Sequence, residues 1–260
     1  MAEKSSARSR LPSGDPFEDL ALRLAEFSSR RVRVEEFSGY RSIVYEADTP
    51  IWGFNQDADN LFLVASGFAY QFDILGNGRR HISDFFGPGA ICNWTRLEAP
   101  TSRTNILFRR GSVATVLPKE HVRTVLGRVP ELRMAISRHE LARTLRNSQR
   151  TKTLVALEAP ERVICFLLDL HEERRMPFLE GCWIECPFNQ QELGDLLGMS
   201  GVHVSRTLST LVDEGRIARN GRHCQILDPE GEMRGLGYQR FMTRTKREGG
   251  PRQGPLSRAT

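Results

Sequence analysis

The segment from Asn189 to Leu227 constrains the fold of this chain more than any other part of the sequence. It reads NQQELGDLLGMSGVHVSRTLSTLVDEGRIARNGRHCQIL, and two stretches with helical spacing of apolar residues flank Gly198 and Ser200. Glycine tolerates the left-handed conformation that often ends a helix, and serine is a favourable N-cap for the helix that follows. The segment therefore predicts two helices joined by a tight turn.

The second predicted helix, from Ser200 to Val212, has one apolar and one polar face. Val204, Leu208 and Leu211 are expected to point into the core. The side chains expected to lie outward or near the edge of the helix are Val202, His203, Ser205, Arg206 and Ser209. Proteins place such a helix, following a tight turn, in the DNA major groove. We therefore predict DNA binding, with Arg206 as the chief base-reading residue.

A short hairpin is predicted directly after these helices. The stretches from Arg216 to Ala218 and from His223 to Leu227 have strand character, and Asn220-Gly221 is a turn signal between them. The hairpin makes the segment a winged helix and argues against its alternative, an ordinary helical hairpin. Positive charge on the wing could meet DNA phosphates, and three residues supply it: Arg216, Arg219 and Arg222.

The net charge of +5 is concentrated at one end of the chain. Residues 239–260 contain six Arg or Lys and one Glu, and their Gly and Pro content predicts a basic disordered tail. This tail could attract DNA non-specifically or only aid solubility. Residues 1–16 are predicted to be a disordered lead without the apolar core of a secretory signal. No apolar run approaches the roughly 20 residues of a membrane span, so we expect a cytoplasmic protein with no membrane partner.

The cysteines are odd in number: Cys92, Cys165, Cys182, Cys186 and Cys224. An odd count without an export signal argues against structural disulfides. The single close pair, Cys182 and Cys186, is weak evidence for zinc or an iron-sulfur cluster, so no metal site is predicted. Reactive redox thiols are an open alternative at three positions: Cys182, Cys186 and Cys224.

Short strands separated by Gly, Asn, Asp and Pro dominate the region from Val32 to Leu117. The predicted strands are Ser42 to Tyr45, Leu61 to Ala65, Phe68 to Asp73, Arg80 to Phe85 and Ser112 to Val116. This pattern favours an antiparallel β-sandwich or β-roll, which can enclose a small ligand.

A long helix is predicted to follow, from Pro130 to about Ala156. Its narrow apolar stripe consists of Leu132, Ile136, His139, Ala142 and Leu145. A helix with one such stripe is poorly stabilised alone, so pairing with a second copy is the favoured interpretation and predicts a homodimer. The alternative is a helix that lies across its own β-domain.

Together these features resemble the Crp-Fnr family of bacterial transcription regulators. The resemblance rests on Glu161-Arg162-Val163, on NQQELGDLLGMS, and on the run from Val202 to Leu208. More loosely, Gly78-Arg79-Arg80 and Phe86-Gly87-Pro88-Gly89 match in the β-domain. It implies an α+β fold with a cyclic-nucleotide-binding-like β-roll at residues 17–129, a dimerisation helix at 130–158 and a winged helix-turn-helix domain at 159–238.

The resemblance also implies how DNA would be read. The recognition helix of the family commonly shows Glu-x-x-Ser-Arg or Glu-x-x-Gly-Arg. Ser205 and Arg206 keep the last two positions, and the arginine fork suits O6 and N7 of guanine. Val202 stands in place of the glutamate and cannot accept a hydrogen bond from cytosine, so the half-site is expected to differ from the common one.

The effector site implied by the resemblance departs from the pattern of cyclic-nucleotide-binding members. Their Gly-Glu-[Leu/Ile] cassette becomes Gly89-Ala90-Ile91, and Arg103-Thr104 and Ser148 fall near the positions of the phosphate pair and of a helix serine. Because Ala90 has no acceptor, cyclic AMP is disfavoured. An iron-sulfur cluster is also disfavoured, because the oxygen-sensing members that the resemblance points to place several cysteines near the N-terminus and this chain places none there. The effector is unknown, and haem stays open at three histidines: His81, His121 and His139.

We therefore expect a homodimeric regulator that binds an imperfect palindrome in double-stranded DNA. It is not expected to be an enzyme, and RNA polymerase would be a partner if it activates transcription. Two alternatives stay open at this point: a cupin-like metal enzyme with an accessory helical domain, and a cyclic-nucleotide sensor that does not act on DNA.

Overall fold

The computed structural model describes residues 17–28, 32, 34, 37, 40–53, 59–98, 105–176, 178 and 181–241. Its N-terminal part comprises α1 (Glu18–Ala25), β1 (Ser42–Val44), β2 (Thr49–Ile51), β3 (Asn60–Ser66), β4 (Ala69–Ile74), β5 (Arg80–Phe86), β6 (Ile91–Cys92), α2 (Thr95–Glu98), β7 (Asn105–Phe108), β8 (Val113–Pro118) and α3 (Lys119–Arg128). The predicted lead at residues 1–16 lies outside the described residues.

Two four-stranded antiparallel sheets form the predicted β-roll. Their strand orders are β1-β8-β3-β6 and β2-β7-β4-β5. Alternate side chains of both sheets meet in a core that includes Phe62, Val64, Phe86 and Phe108. The sequence prediction of a β-roll is confirmed, although it did not include the short strands β2, β6 and β7.

A long helix, α4 (Pro130–Ala156), follows the β-roll and leads into α5 (Ala159–Glu173). Of the apolar stripe predicted for dimerisation, Leu132, Ile136, His139 and Ala142 are buried against the same chain. This corrects the sequence prediction, because α1 and α3 already cover that face. A second stripe on α4 is exposed, and its members are Met134, Leu141, Leu145 and Val155.

The winged helix-turn-helix part contains β9 (Ile184–Glu185), α6 (Gln190–Leu197), α7 (Gly201–Asp213), β10 (Ile217–Asn220), β11 (His223–Ile226) and α8 (Pro229–Leu236). Its antiparallel sheet has the order β10-β11-β9, so the wing hairpin gains a third strand from the segment before α6. Within the residues that the structure describes, none of the helices combines the length and apolar character that a membrane crossing needs.

The winged-helix part is docked onto the β-roll through an aromatic core. Phe188, which precedes α6, packs within 6 Å of the rings of Phe68, Tyr70, Phe85 and Phe166. These residues come from the β3–β4 turn, β4, β5 and α5, as well as from the segment before α6. The two parts therefore share one continuous hydrophobic core.

Polar contacts reinforce the docking at its edge. Glu192 on α6 accepts hydrogen bonds from the Tyr70 hydroxyl at 3.1 Å and from Arg109 at 2.7 Å. Arg80 forms an ion pair with Asp195 at 2.8 Å. Because Glu192 also belongs to the N-terminal cap of α6, the same side chain orders the helix and joins it to the β-roll.

A buried ion network joins α1, α4, α5 and β5. Arg143 and Arg146 on α4 each contact both Asp84 and Glu173, at distances between 2.7 and 3.0 Å. Arg23 adds a contact to Glu173 at 3.1 Å. Burial by itself would raise the pKa of Glu173, but the three guanidiniums hold that pKa well below its usual range. The network therefore fixes α4 against its own β-roll.

Candidate nucleic-acid interface

The turn between α6 and α7 forms as the local sequence predicts. Asn189 and Glu192 make a reciprocal capping box, with both hydrogen bonds at 2.9 Å. Gly198 ends α6 in the left-handed conformation, with φ of 69°, and Ser200 caps α7 through the amide of His203 at 3.2 Å. These caps set the angle at which α7 leaves the turn.

Gly194 allows the two helices to approach each other closely. A Cβ atom at this position would lie 2.4 Å from the backbone carbonyl oxygen of Met199. Any larger residue would push α7 away from α6, so the glycine sets the distance between the helices.

The outer face of α7 is open to solvent. Val204, Leu208 and Leu211 are buried. The exposed side chains are Val202, His203, Arg206 and Ser209. Ser205 is half-buried and accepts a hydrogen bond from Gln190 at 3.3 Å, so it lies at the edge of the surface. The structure thus places the predicted base-reading residues together on one face, with Ser200 at its start.

Arg206 is the cation at the centre of this face. No ion pair joins its guanidinium to a carboxylate within the described part of the chain. The first turn of α7 also contains no acidic residue. The guanidinium is therefore free to contact a guanine base or a phosphate.

The wing differs from the prediction, because two of its three arginines are hydrogen-bonded within the domain. Arg216 donates twice to Glu232, at 2.7 Å each, and its pKa is raised by these hydrogen bonds. Arg222 donates to the carbonyls of Cys186 and Pro187 and so turns back toward β9. Arg216 thus holds α8 in place, and the exposed Arg219 is the wing arginine best placed for a phosphate.

Sequence reasoning did not single out two exposed side chains beside this surface, Gln190 and Gln191. Gln190 and Gln191 open α6, next to the edge residue Ser205. Their position directly after the Asn189 cap is a signal that could have identified them, since backbone phosphates often meet helix N-termini.

Two of the three candidate redox thiols lie in the core, which argues against a redox role for them. Cys186 and Cys224 are both buried, and burial raises the pKa of the Cys186 thiol to about 12 and also raises that of Cys224. A thiol with a raised pKa forms little thiolate and reacts slowly. Cys182 is half-buried, and it remains a candidate. The described ranges contain no group of three His, Cys, Asp or Glu side chains that could hold a metal ion.

The candidate effector residues that the structure describes do not line one pocket. Ala90 and Ile91 are buried in the core, and a Cβ atom on Gly89 would lie 2.5 Å from the backbone of Asp19, because α1 covers this turn. Ser148 is exposed and faces the segment that follows α8. Arg103 and Thr104 lie outside the described residues. Of the histidines considered for haem, His139 is buried and packs edge-on against Phe27.

The segment from Gly237 to Phe241 packs back onto α4 and α5. The Tyr238 hydroxyl donates to Asp169 at 2.8 Å, the Gln239 amide donates to Gln149 at 3.1 Å, and the Phe241 amide donates to Glu172 at 3.3 Å. Residues 239–241 therefore do not belong to the predicted disordered tail. Residues 242–260 lie outside the described residues.

The contact with Glu172 predicts a pH dependence. Burial, together with Asp169, raises the pKa of Glu172 to about 7 from its usual 4.5. A carboxyl whose pKa is raised by folding stabilises the fold below its unfolded pKa, and this contribution is lost as the pH rises through 7. Glu172→Gln should therefore increase the free energy of unfolding at pH 8 relative to the parent chain and change it little at pH 4.5.

Urea unfolding at both pH values measures this difference. The exposed Glu230 provides a matched control, since Glu230→Gln should change stability equally little at both. A difference between Glu172→Gln and the parent chain that does not grow with pH would contradict the assignment.

The geometry defines the class of the protein: a β-roll joined through a long helix to a winged helix-turn-helix domain whose second helix is exposed. A model of the Crp-like helix-turn-helix domain matches residues 161–231. Over this domain, and more loosely over the rest of the chain, the protein is similar to transcription regulators of the Crp-Fnr type.

Similar proteins extend beyond this domain. The nitrogen fixation regulation protein FixK of Azorhizobium caulinodans is 29% identical over 200 residues, which cover 74% of this chain and 77% of that protein. The transcriptional activator protein Anr of Pseudomonas protegens is 23% identical over 172 residues, covering 66% and 70%. These relatives favour a transcription regulator over the cupin-like enzyme and over a sensor that does not act on DNA.

Solved structures show the same fold. The structure of FixK2 from Bradyrhizobium japonicum has a TM-score of 0.63 at 22% identity and covers 75% of this chain and 96% of that one. The structure of a CooA mutant from Carboxydothermus hydrogenoformans has a TM-score of 0.62 at 18% identity, covering 87% and 98%. The α+β architecture predicted from the sequence is thus confirmed.

Proposed function

We propose that this regulator binds an imperfect DNA palindrome as a homodimer, placing one copy of α7 in each of two successive major grooves. The observation that carries the proposal is the exposed face of α7, on which Arg206 has no carboxylate partner in the described part of the chain. Val202, His203 and Ser209 would contact bases or phosphates beside it. Arg219 on the wing and the N-terminus of α6 would contact the backbone.

The side chain at position 202 bears on which half-site is read. Val202 is 63% exposed and lies one turn before Arg206, where it can meet a base edge. A valine offers only apolar contact, which suits the methyl group of thymine and not the amino group of cytosine. We therefore propose a half-site that pairs a guanine under Arg206 with a thymine methyl near Val202.

Footprinting against genomic fragments tests this function. The wild-type chain should protect sites with two-fold symmetry, with half-site centres about one helical turn apart. The experiment should be repeated with and without oxygen, nitric oxide and oxidant, because the signal that controls binding is unknown. No site-specific protection under any of these conditions would show the proposed function to be wrong.

The exposed stripe on α4 supports the homodimer. Met134 and Leu141 are seven residues apart, Leu145 follows four residues later, and Val155 is fourteen residues after Leu141. These steps fit the 3.5-residue repeat of a helix that pairs with a copy of itself. The exposed fractions of the four side chains range from 45% to 85%, so a second copy of α4 would cover this apolar seam.

Leu141→Glu is therefore expected to weaken dimerisation. In a symmetric helix pair the two glutamates would be buried near each other, and the dissociation constant should rise by roughly two orders of magnitude, about 3 kcal/mol. Sedimentation velocity over a concentration series measures the change. Leu75→Glu is the matched control, because Leu75 is 49% exposed but lies at the β4–β5 hairpin. Equal dimer stability in both variants would exclude the exposed stripe of α4 as the dimer interface.

The proposed function also bears on where the protein works and which partners it has. A DNA-binding regulator acts where the DNA is, so we propose that it works in the cytoplasm. If it activates transcription, RNA polymerase would be its partner. The relatives FixK and Anr are named as a regulation protein and an activator, respectively. Cyclic AMP is not proposed as an effector, because Ala90 is buried and has no acceptor side chain.

A further inference from the structure

A polar cleft of about 460 Å³ lies where the winged-helix part meets the β-roll. On the β-roll side it is lined by Arg109 and Arg110, in the turn between β7 and β8, and by Asp48. On the other side it is lined by Arg174, at the end of α5, and by Arg222 on the wing. Neither the recognition face of α7 nor the candidate effector residues take part in it.

The cleft contains more positive than negative charge. Its four arginines face two carboxylates, Asp48 and Glu185. Arg109 is already engaged by Asp48 and Glu192, at 2.7 Å each. No ion pair links Arg110, Arg174 or Arg222 to a carboxylate among the residues that the structure describes. The guanidiniums of Arg110 and Arg174 are therefore available to an anion. Arg222 uses its Nε atom and one terminal nitrogen for the carbonyls of Cys186 and Pro187, and its other terminal nitrogen can still contact an anion.

Arg174 is the cation that the fold leaves least satisfied. Its Nε atom is buried and has no hydrogen-bond partner within the described chain. Its guanidinium carbon lies 5.8 Å from the centre of the Phe68 ring, which holds it at the wall of the cleft. Burial lowers the pKa of Arg174, although Glu185 acts in the opposite direction. Because the Nε atom is buried, the terminal nitrogens of Arg174 are the donors that a ligand in the cleft would contact.

The β-roll wall of the cleft is rigid. A Cβ atom on Gly67 would lie 2.5 Å from the Ser112 hydroxyl, so the two turns that carry these residues are in direct contact. The Ser112 hydroxyl also lies 2.9 Å from both the amide and the carbonyl of Phe68. The turn that presents Arg110 is therefore fixed before any ligand arrives, which lowers the entropic cost of binding.

We propose that this cleft binds a small phosphorylated ligand with at least two phosphate charges, held between Arg110 of the β-roll and Arg174 and Arg222 of the winged-helix part. Guanidinium forks match phosphate oxygens, and the volume lies within the range of small-molecule sites. Because its arginines come from both parts, the ligand would stabilise their docked arrangement. The inference does not depend on the proposed DNA recognition, since the site exists without DNA.

Calorimetric titration of the full chain with inorganic pyrophosphate, at constant ionic strength and without DNA, tests the proposal. One pyrophosphate per chain is expected. Arg174→Gln and Arg110→Gln should each weaken binding roughly tenfold or more, because each removes a charge-assisted contact. Arg79→Gln is the matched control: it removes the same charge from an exposed residue of the β4–β5 hairpin and should leave binding unchanged.

Three outcomes would overturn the proposal. The first is no pyrophosphate binding by the wild-type chain. The second is equal weakening by Arg79→Gln, which would reduce the effect to general charge attraction. The third is binding of DNA in the cleft, because DNA phosphates offer the same oxygens to the arginines. If a non-specific duplex competes with pyrophosphate and both cleft variants lose duplex affinity equally, the cleft is part of the DNA surface. Arg110→Gln keeps the test valid if Arg174→Gln fails to fold, because Arg110 is exposed.

Discussion

Arg146→Met is expected to lower the free energy of unfolding by roughly 3–5 kcal/mol, the usual cost of breaking a buried ion pair by removing one partner. Arg146 is completely buried, and its guanidinium contacts Glu173 at 2.8 Å and Asp84 at 3.0 Å. Methionine fills much of the same space but leaves both carboxylates with one cation fewer. Equilibrium unfolding in urea, followed by circular dichroism and by tryptophan fluorescence, measures the loss.

Arg133→Met is the matched control, since Arg133 lies on the same helix and is exposed. It should change stability by less than about 0.5 kcal/mol. A loss below 1 kcal/mol for Arg146→Met would show that the network contributes little. A double-mutant cycle with Glu173→Gln separates charge pairing from packing: the double variant should lose less than the two single variants together.

Arg206→Ala is expected to weaken binding to the specific DNA site by roughly 1–3 kcal/mol per half-site and to change the affinity for non-specific DNA much less. The reason is that a guanidinium on an exposed recognition face, free of carboxylates in the described chain, can donate two hydrogen bonds to one guanine. Fluorescence anisotropy with a footprinted site and with a scrambled duplex of equal length measures both affinities.

The wing arginine provides the contrasting variant. Arg219 is exposed, and its Nε donates to the Gly221 carbonyl at 3.2 Å, which holds it on the wing and outside the exposed face of α7 itself. Arg219→Ala should lower the affinity for both duplexes by a similar factor. It should also reduce the salt dependence of binding by about one phosphate contact per chain. If Arg206→Ala also lowered the affinity for both duplexes equally, base reading by Arg206 would be excluded.

The docking of the winged-helix part onto the β-roll ties the position of α6 to residues of the β-roll. Glu192 on α6 serves at once as the capping residue of that helix and as the partner of Tyr70 and Arg109 in the β-roll. Any change in the β-roll that moves Arg109 therefore acts directly on the helix preceding the recognition helix. This link offers a physical route from a signal to the DNA-binding surface.

The exposed face of α7 and the turn that precedes it could be predicted almost entirely from the sequence. Asn189 with Glu192, Gly198, and Ser200 with His203 are all contacts within a few residues, so their effect on the backbone is visible in the local sequence. The face of α7 follows from the same short-range periodicity. The strands of the β-roll were predicted less completely, because strands of two or three residues carry little pattern of their own.

The partners of charged residues could not be predicted in this way. Arg216 is paired with Glu232, 16 residues away, and with Glu161, 55 residues away, so its charge serves the packing of the domain and not the wing. The same holds for Arg143 and Arg146, whose partner Asp84 lies about 60 residues earlier in the chain. Sequence patterns show that these residues are charged, but not what neutralises them.

The sequence by itself determined the elements: a β-roll, a long helix and a winged helix-turn-helix with Arg206 on its open face, because caps, turns and apolar spacing act within a few residues. The tertiary structure decided which surfaces remain available. Helices α1 and α3 cover one apolar stripe of α4 and leave another exposed. Ala90 is buried in the core where the two sheets meet. The tertiary structure also gathered arginines from distant positions into one cleft, since the neighbours of a side chain depend on long-range packing that no local pattern specifies.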